Sequence, residues 1–90
     1  MFDIKMISMK EKTKSIFNPK YQKLISEIVR LRNERGLTQR DLAKLCNVSH
    51  CYIGRVETHE RRLDLIETID ILKVLGLSKQ EILDLIKKLI

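Results

Sequence analysis

The stretch from Leu37 to Arg62, LTQRDLAKLCNVSHCYIGRVETHERR, is predicted to contain two short amphipathic helices joined by a tight turn. Thr38 is a good N-cap for the first helix, and Asp41 can complete a capping box with it. We predict this helix over about residues 38–45, roughly two turns. Its apolar residues are expected to face a core: Leu42, Ala43 and Leu45.

A sharp chain reversal is predicted directly after that helix. Asn47 tolerates the left-handed backbone that ends a helix, because its short polar side chain can hydrogen-bond locally. We expect Val48 to pack inward after the turn and Ser49 to cap a second helix over about residues 49–57. The two helices are therefore predicted to meet at an angle.

The second helix has two different faces. Ile53 and Val56 lie three residues apart and are predicted to pack against the first helix, where the small Ala43 lets the two axes come close. The opposite face is polar with few acids, so it stays free for a contact with another molecule. Its members are His50, Cys51, Gly54 and Arg55.

The segment before this pair predicts a longer helix over about residues 19–35. Asn18 is placed as its N-cap with Pro19 at the first helical position, and Gly36 supplies the left-handed residue that ends it. Apolar residues recur between these ends with a 3.6-residue period, which is typical of a core-facing stripe. They are Tyr21, Leu24, Ile25, Ile28 and Leu31.

Two further helices are predicted over about residues 64–75 and 78–90. Asp64 with Glu67, and Ser78 with Glu81, form the capping signals, and Gly76 ends the fourth helix. The fourth helix is expected to direct Leu65, Ile66, Ile69, Leu72 and Leu75 inward. The fifth carries more apolar residues than one side of a small bundle needs, so either the N-terminal segment or a second copy should cover them. They are Ile82, Leu85, Ile86, Leu89 and Ile90.

The chain has 90 residues and a formal net charge of +6. This length fits one domain and leaves no room for a second, ligand-sensing module. The charge suits a polyanionic partner, although charge alone is equally consistent with an ordinary basic protein. No apolar run approaches the roughly 18 residues of a membrane span, and no signal peptide is evident, so we expect a cytoplasmic protein without a membrane partner.

The cysteines and histidines do not predict a cofactor. Cys46 and Cys51 are expected to be reduced thiols, with Cys46 packed as a small hydrophobe. Their spacing to His50 and His59 fits no common zinc pattern, so no metal is predicted. Because the sequence also lacks a Gly-rich phosphate loop and an acid pair in a credible cleft, we do not expect an enzyme.

Residues 1–18 show no sustained helical or alternating pattern and are treated apart from the domain at 19–90. Three interpretations are open: a flexible arm, an added helix that covers the core, or a leader that precedes a start at Met6 or Met9. An arm lying along phosphates is the functional form of the first interpretation.

The motif and its flanking helices resemble the lambda-repressor-like family of Cro and phage repressors, which are XRE-type helix-turn-helix proteins. The segments LISEIVRLRNERG and RRLDLIETIDILKVLGLS are similar to the family's first and fourth helices. The resemblance implies an all-α, compact five-helix DNA-binding domain with its helix-turn-helix at helices 2 and 3. The residues that match in register are Gly36, Thr38, Gln39, Leu42, Ala43, Val48, Ser49, Tyr52, Ile53, Val56 and Glu57.

The resemblance makes the second helix of the motif the recognition helix. His50 and Cys51 match positions that contact base edges in the family, and Arg55 is expected to reach the O6 and N7 atoms of a guanine. Ser49 lies at the helix N-terminus, where the dipole and free N–H groups favour a phosphate or a base acceptor. Gly54 costs about 1 kcal/mol in a helix interior, so it indicates a close approach, to DNA or to helix 2.

Other residues are expected to contact phosphates or to brace the recognition helix. Gln39, together with Thr38 at the start of helix 2, matches a family position with both roles. The Tyr52 hydroxyl is expected either on the sugar–phosphate backbone or packed against helix 1. Arg61 and Arg62 are placed to approach a phosphate, the alternative being that both are solvated and unpaired.

Two more positions are interpreted through the resemblance. It pairs Arg32, near the end of helix 1, with Glu57 at the end of the recognition helix, as a structural tie. His59 stands where the family usually has glycine. The chain must therefore either hold a left-handed histidine or adopt another turn there.

These features predict a sequence-specific regulator of transcription that binds double-stranded DNA as a homodimer on an inverted repeat. The expected dimer interface is the apolar set of helix 5. The alternative is a protein-interaction module, such as the antitoxin of a toxin–antitoxin pair, that binds a protein through helix 5. Within the family, the chain resembles restriction-modification controllers, phage repressors and antitoxins.

Overall fold

The computed structural model of the protein describes residues 18–90, which form five α-helices. They are α1 (Pro19–Glu34), α2 (Gln39–Cys46), α3 (His50–Glu57), α4 (Leu65–Val74) and α5 (Lys79–Leu89). No strand occurs in this part of the chain. The all-α, five-helix prediction is confirmed, with helix ends within about two residues of those expected. The interpretations of the segment before Asn18 lie outside the described residues.

Local capping signals set the helix starts, as predicted. The Asn18 side chain accepts a hydrogen bond from the Lys20 N–H, and Ser49 accepts one from the Tyr52 N–H. Reciprocal capping boxes begin α2, α4 and α5, formed by Thr38 with Asp41, Asp64 with Glu67, and Ser78 with Glu81. Hydrogen bonds from the N-cap backbone N–H groups lower the pKa of each of these three partner carboxyls.

Left-handed residues stand at the chain reversals. Gly36 has a φ of 67° and Gly76 a φ of 91°, which confirms both predicted helix stops. Asn47 has a φ of 60° and a ψ of 44°, so the turn between α2 and α3 forms as the sequence indicates. His59 also has a positive φ, of 64°, and therefore accepts the strained backbone rather than avoiding it.

The core takes residues from all five helices and from Leu63 between α3 and α4. Ile28, Leu42 and Leu72 are among its most deeply buried members. Ile53 and Val56 of α3 are each 1% exposed, so the inner face predicted for this helix is confirmed. The remaining buried hydrophobic residues are Ile25, Leu31, Ala43, Ile71, Leu75, Ile82 and Leu85.

Four residues predicted to face inward are exposed instead. Leu45 is 57% exposed because Cys46, one turn after Leu42, occupies the inner side of α2. Leu65 and Ile66 are each 64% exposed. Leu63 fills the core ahead of α4, and the helical period places Ile66 opposite the buried Thr68, Leu72 and Leu75. Val48 is exposed beside Tyr52 and does not enter the core.

Within residues 18–90, no helix is both long enough and apolar enough to cross a bilayer.

The left-handed turn at Asn47 gives a first prediction. Asn47→Ala should lower the free energy of unfolding by about 1 kcal/mol, because the left-handed backbone strains alanine more than it strains asparagine. Urea denaturation followed by circular dichroism measures the effect. Asn47→Gly is the matched control and should stay within about 0.5 kcal/mol of the parent. An equal loss in both variants would mean that the Asn47 side chain, not the backbone conformation, matters.

Candidate nucleic-acid interface

The α2–turn–α3 unit holds α3 with one side buried and the other exposed. Ile53 and Val56 lie in the core together with Leu42 and Ala43 of α2. Asn47 reverses the chain between the two helices, and the N–H of Val48 bonds back to the Ala43 carbonyl at 3.0 Å. The helix therefore has no freedom to rotate about its axis without losing core contacts.

A nearly buried ion pair fixes the C-terminal end of α3 to α1. The Arg32 Nε atom lies 2.7 Å from Glu57 Oε2, and its Nη2 atom lies 2.9 Å from Oε1. The two side chains are 11% and 7% exposed. Arg32 Nη1 also donates to the Leu37 carbonyl at 2.8 Å. The pair that the family resemblance implied is therefore present, in bidentate geometry, which is the strongest form of such a contact.

Gln39 joins this ion pair from the start of α2. Its Nε2 atom donates to Glu57 Oε1 at 2.9 Å, so Gln39 braces the recognition helix as expected. Its Oε1 atom would lie 3.4 Å from a Cβ atom added at Gly54. That distance is an ordinary van der Waals contact. Packing against α2 therefore does not explain the glycine at position 54.

The exposed side of α3 carries the three residues predicted to contact bases. His50, Cys51 and Arg55 are all exposed. His50 Nε2 lies 3.9 Å from Cys51 Sγ, so these neighbours form one polar patch at the start of the helix. The Arg55 guanidinium makes no hydrogen bond or ion pair within residues 18–90.

Tyr52, which belongs to α3, takes part in a small cluster that the sequence did not predict. The Arg61 guanidinium lies 4.6 Å from the centre of the Tyr52 ring and binds Glu67 through Nη2 at 2.9 Å. Burial raises the pKa of the Tyr52 phenol, and a hydrogen bond with Glu67 adds to this rise. Tyr52 thus lies beside the loop after α3 and the start of α4, and its predicted packing against helix 1 stays a prediction.

The contacts in this cluster exclude one of the two expectations for Arg61. Arg61 is paired with Glu67 and stacked on Tyr52, so it is not the solvated, unpaired residue that was one of the two expectations. A guanidinium stacked on an aromatic face keeps its outer edge open. Arg62 is exposed, and its predicted phosphate contact stays a prediction.

The loop after α3 is tied to α1 by a second aromatic residue. The Tyr21 hydroxyl accepts a hydrogen bond from the Leu63 N–H at 3.0 Å, and its ring lies edge-on to His59 with centroids 6.5 Å apart. The Nδ1 atom of His59 is buried without a partner in the described part of the chain. The sequence predicted Tyr21 only as part of the core stripe. A hydroxyl at the edge of such a stripe is the signal that could have suggested this contact.

The apolar residues of α5 divide into two groups. Ile82 and Leu85 are buried in the core of the single chain, which leaves little of either for a second copy. Ile86 and Leu89 are half-buried, and Ile90 is 91% exposed. Leu83, which the sequence analysis did not assign to the interface, is also exposed.

Metal ligation has no support in the described residues. Residues 18–90 contain no group of three His, Cys, Asp or Glu side chains placed to hold a metal ion. Cys46 is a free, half-buried thiol that packs at the edge of the core, as predicted. Burial, together with the nearby charge of Asp70, raises the pKa of this thiol.

The five-helix bundle and the exposed outer side of α3 define a helix-turn-helix domain. Comparison with known proteins supports the same class. The helix-turn-helix family model matches residues 28–82. Among solved structures, an XRE-family like protein from Pseudomonas syringae pv. tomato str. DC3000 is similar, with a TM-score of 0.73 and 33% sequence identity. The match covers 88% of this chain and 93% of that one. No curated protein matches the chain.

The chain therefore belongs to the XRE-type helix-turn-helix family, which confirms the resemblance inferred from its motif. The chain is therefore in the class of DNA-binding regulators. Its fold is not typical of enzymes.

The ion pair between Arg32 and Glu57 gives a second prediction. Glu57→Gln should lower the free energy of unfolding by about 3 kcal/mol, because it leaves a nearly buried guanidinium without its counter-charge. Glu34→Gln is the matched control. Glu34 pairs with Arg30 on the exposed side of α1, where the loss should be at most about 0.5 kcal/mol. Thermal or urea denaturation measures both, and equal losses would contradict a special role for Glu57.

Proposed function

We propose that this protein is a transcriptional regulator that reads a specific DNA sequence through α3, as a homodimer on an inverted repeat. The observation that carries the proposal is the asymmetry of α3. Its inner side is fixed by the core and by Glu57, whereas its outer side presents an arginine without a partner among the described residues. A rigid helix with a free polar face fits the major groove of B-DNA.

Arg55 is the principal base-reading residue in this proposal. Its guanidinium has the fork geometry that pairs with guanine O6 and N7. His50 reads a neighbouring base edge through a ring nitrogen. Cys51 is a poor hydrogen-bond partner, so it contacts a thymine methyl group. Gly54 lets the helix approach the DNA closely, since its packing against Gln39 would tolerate a methyl group.

Phosphate contacts surround this reading face. Thr38 and Ser49 are exposed N-caps whose hydroxyl groups accept from backbone N–H groups, which leaves their own protons to donate to phosphate oxygens. Gln39 keeps a second amide proton after its bond to Glu57. Arg61 and Arg62 add positive charge beside the helix. Such contacts set orientation and supply much of the salt-dependent affinity.

The Tyr52 hydroxyl is a weaker candidate for a phosphate contact. The Glu67 carboxylate acts on this phenol, and a phosphate would meet the negative charge of that carboxylate. We therefore assign Tyr52 mainly to bracing the recognition helix, since the Arg61 guanidinium stacks on its ring.

Dimerisation completes the proposal. One recognition helix covers only a few base pairs, whereas two copies about 34 Å apart would read both halves of an inverted repeat. The contact is proposed at the C-terminal turn of α5, through Ile86, Leu89 and Ile90. Ile82 and Leu85 support this turn from the core of the same chain. The site of action is the cytoplasm, where the DNA is accessible.

The role of Arg55 is testable by binding to duplexes selected from a random library. Arg55→Ala should lower affinity for the selected duplex by about 1 to 3 kcal/mol, with a much smaller change on unrelated DNA. Arg55→Lys keeps the charge but loses the planar fork, so it should recover little of the specific affinity. A uniform loss on all duplexes, recovered by lysine, would make Arg55 a phosphate contact.

The proposed dimer contact is testable by analytical ultracentrifugation. Ile90→Asp places a carboxylate in the α5 contact and should shift the protein toward monomer and weaken binding to a two-half-site duplex. Leu45→Asp is the control, because Leu45 is an exposed apolar residue on a different helix. Unchanged assembly in Ile90→Asp, or a monomeric parent protein that binds the duplex fully, would contradict the dimer.

A further inference from the structure

An apolar groove runs between α4 and α5 on the outer side of the bundle. It has a volume of about 520 Å³, and its apolar lining is Ile69, Leu77, Ile82, Leu83 and Ile86. Leu83, one of these lining residues, is 46% exposed. Grooves of this kind bind the apolar face of an amphipathic helix.

The charges at this groove have one sign. Lys73 of α4 and Lys79 of α5 line it together with the apolar residues. Neither ammonium group makes a hydrogen bond or an ion pair with another described residue. The groove therefore has, beside its apolar lining, two cations without a partner among residues 18–90.

The carboxylates of α4 and α5 do not line the groove. Glu67 binds Arg61, Glu81 caps the start of its own helix, and Asp84 accepts a hydrogen bond from Gln80. Asp70 lines a different pocket, beside Cys46 and Tyr52. No acidic residue lines the groove, so the positive charge of the lysines is not compensated from within the described chain.

We propose that this groove docks an acidic amphipathic segment of another protein. Apolar side chains of the segment would lie against Ile69, Leu77 and Leu83, and its carboxylates would bind Lys73 and Lys79. The charge decides against a second copy in this groove, because a two-fold contact would add the same two lysines without adding an acid. The inference goes beyond DNA binding and does not depend on it.

The first part of the test varies the ligand and uses three short fluorescein-labelled peptides. Each is designed as an amphipathic helix with leucines on one face, flanked by glutamate in the first peptide, by glutamine in the second and by lysine in the third. Fluorescence anisotropy of the full chain with each peptide measures affinity. The glutamate peptide should bind about fivefold more tightly than the glutamine peptide, and the preference should shrink with added salt. The lysine peptide should bind least.

The second part of the test reverses the charge of lysines on the protein. Lys73→Glu combined with Lys79→Glu should invert the order of the glutamate and lysine peptides, whereas the matched pair Lys20→Glu and Lys23→Glu on α1 should preserve it. Leu83→Asp should abolish binding of the glutamate peptide. Circular dichroism shows whether each variant is folded, and Leu83→Ala is the milder substitute if the aspartate is not tolerated.

Several outcomes would overturn the inference. It fails if the glutamate peptide does not bind, if it binds no better than the glutamine peptide, or if its preference survives reversal of both lysines. It also fails if Leu83→Asp abolishes self-association of the parent chain instead, since a second copy would then occupy the groove. Failure of the Arg55 experiment would leave this inference unaffected, so the two proposals are distinguishable.

Discussion

The rest of the structure depends on the buried contact between Arg32 and Glu57. A charge taken out of water is costly unless an opposite charge and hydrogen bonds compensate it, and here Glu57 accepts from Arg32 and from Gln39. One carboxylate thereby holds α1, α2 and α3 together. The core contacts of α3 limit its rotation, and the ion pair limits its tilt. A recognition helix that is already fixed in the free protein loses little entropy when it binds.

The two loops flanking α3 are held by unrelated chemistry. Before the helix, backbone hydrogen bonds and a left-handed asparagine make the turn. After it, a strained His59 is supported by the Tyr21 ring, and Arg61 stacks on Tyr52. The glycine that the family usually has at position 59 needs no such support. This chain therefore replaces a flexible residue by a packed one.

Sequence reasoning succeeded where structure is decided locally. The caps at Thr38, Asp64 and Ser78, and the left-handed residue at Asn47, depend on neighbours within four residues, so their patterns are visible in the sequence. It failed where burial depends on what packs opposite. Leu45 and Ile66 belong to amphipathic patterns, yet no helix of the described part of the chain covers them. The pairing of Arg61 with Tyr52 joins residues nine positions apart through a loop, and no periodicity indicates it. The structure of a chain without DNA contains no contacts with DNA. The base-reading side of α3 was therefore inferred only from exposure and family resemblance.

The placement of the tyrosines has a spectroscopic consequence. The chain has two tyrosines and no tryptophan. Tyr21 touches His59 and Leu63, and Tyr52 lies on the recognition helix itself beneath Arg61. One tyrosine therefore lies on α3, and the other contacts the loop that follows it. Tyrosine emission is accordingly a local optical probe of α3 and this loop, sensitive to their docking and their loosening, and nearly blind to the distant end of α5.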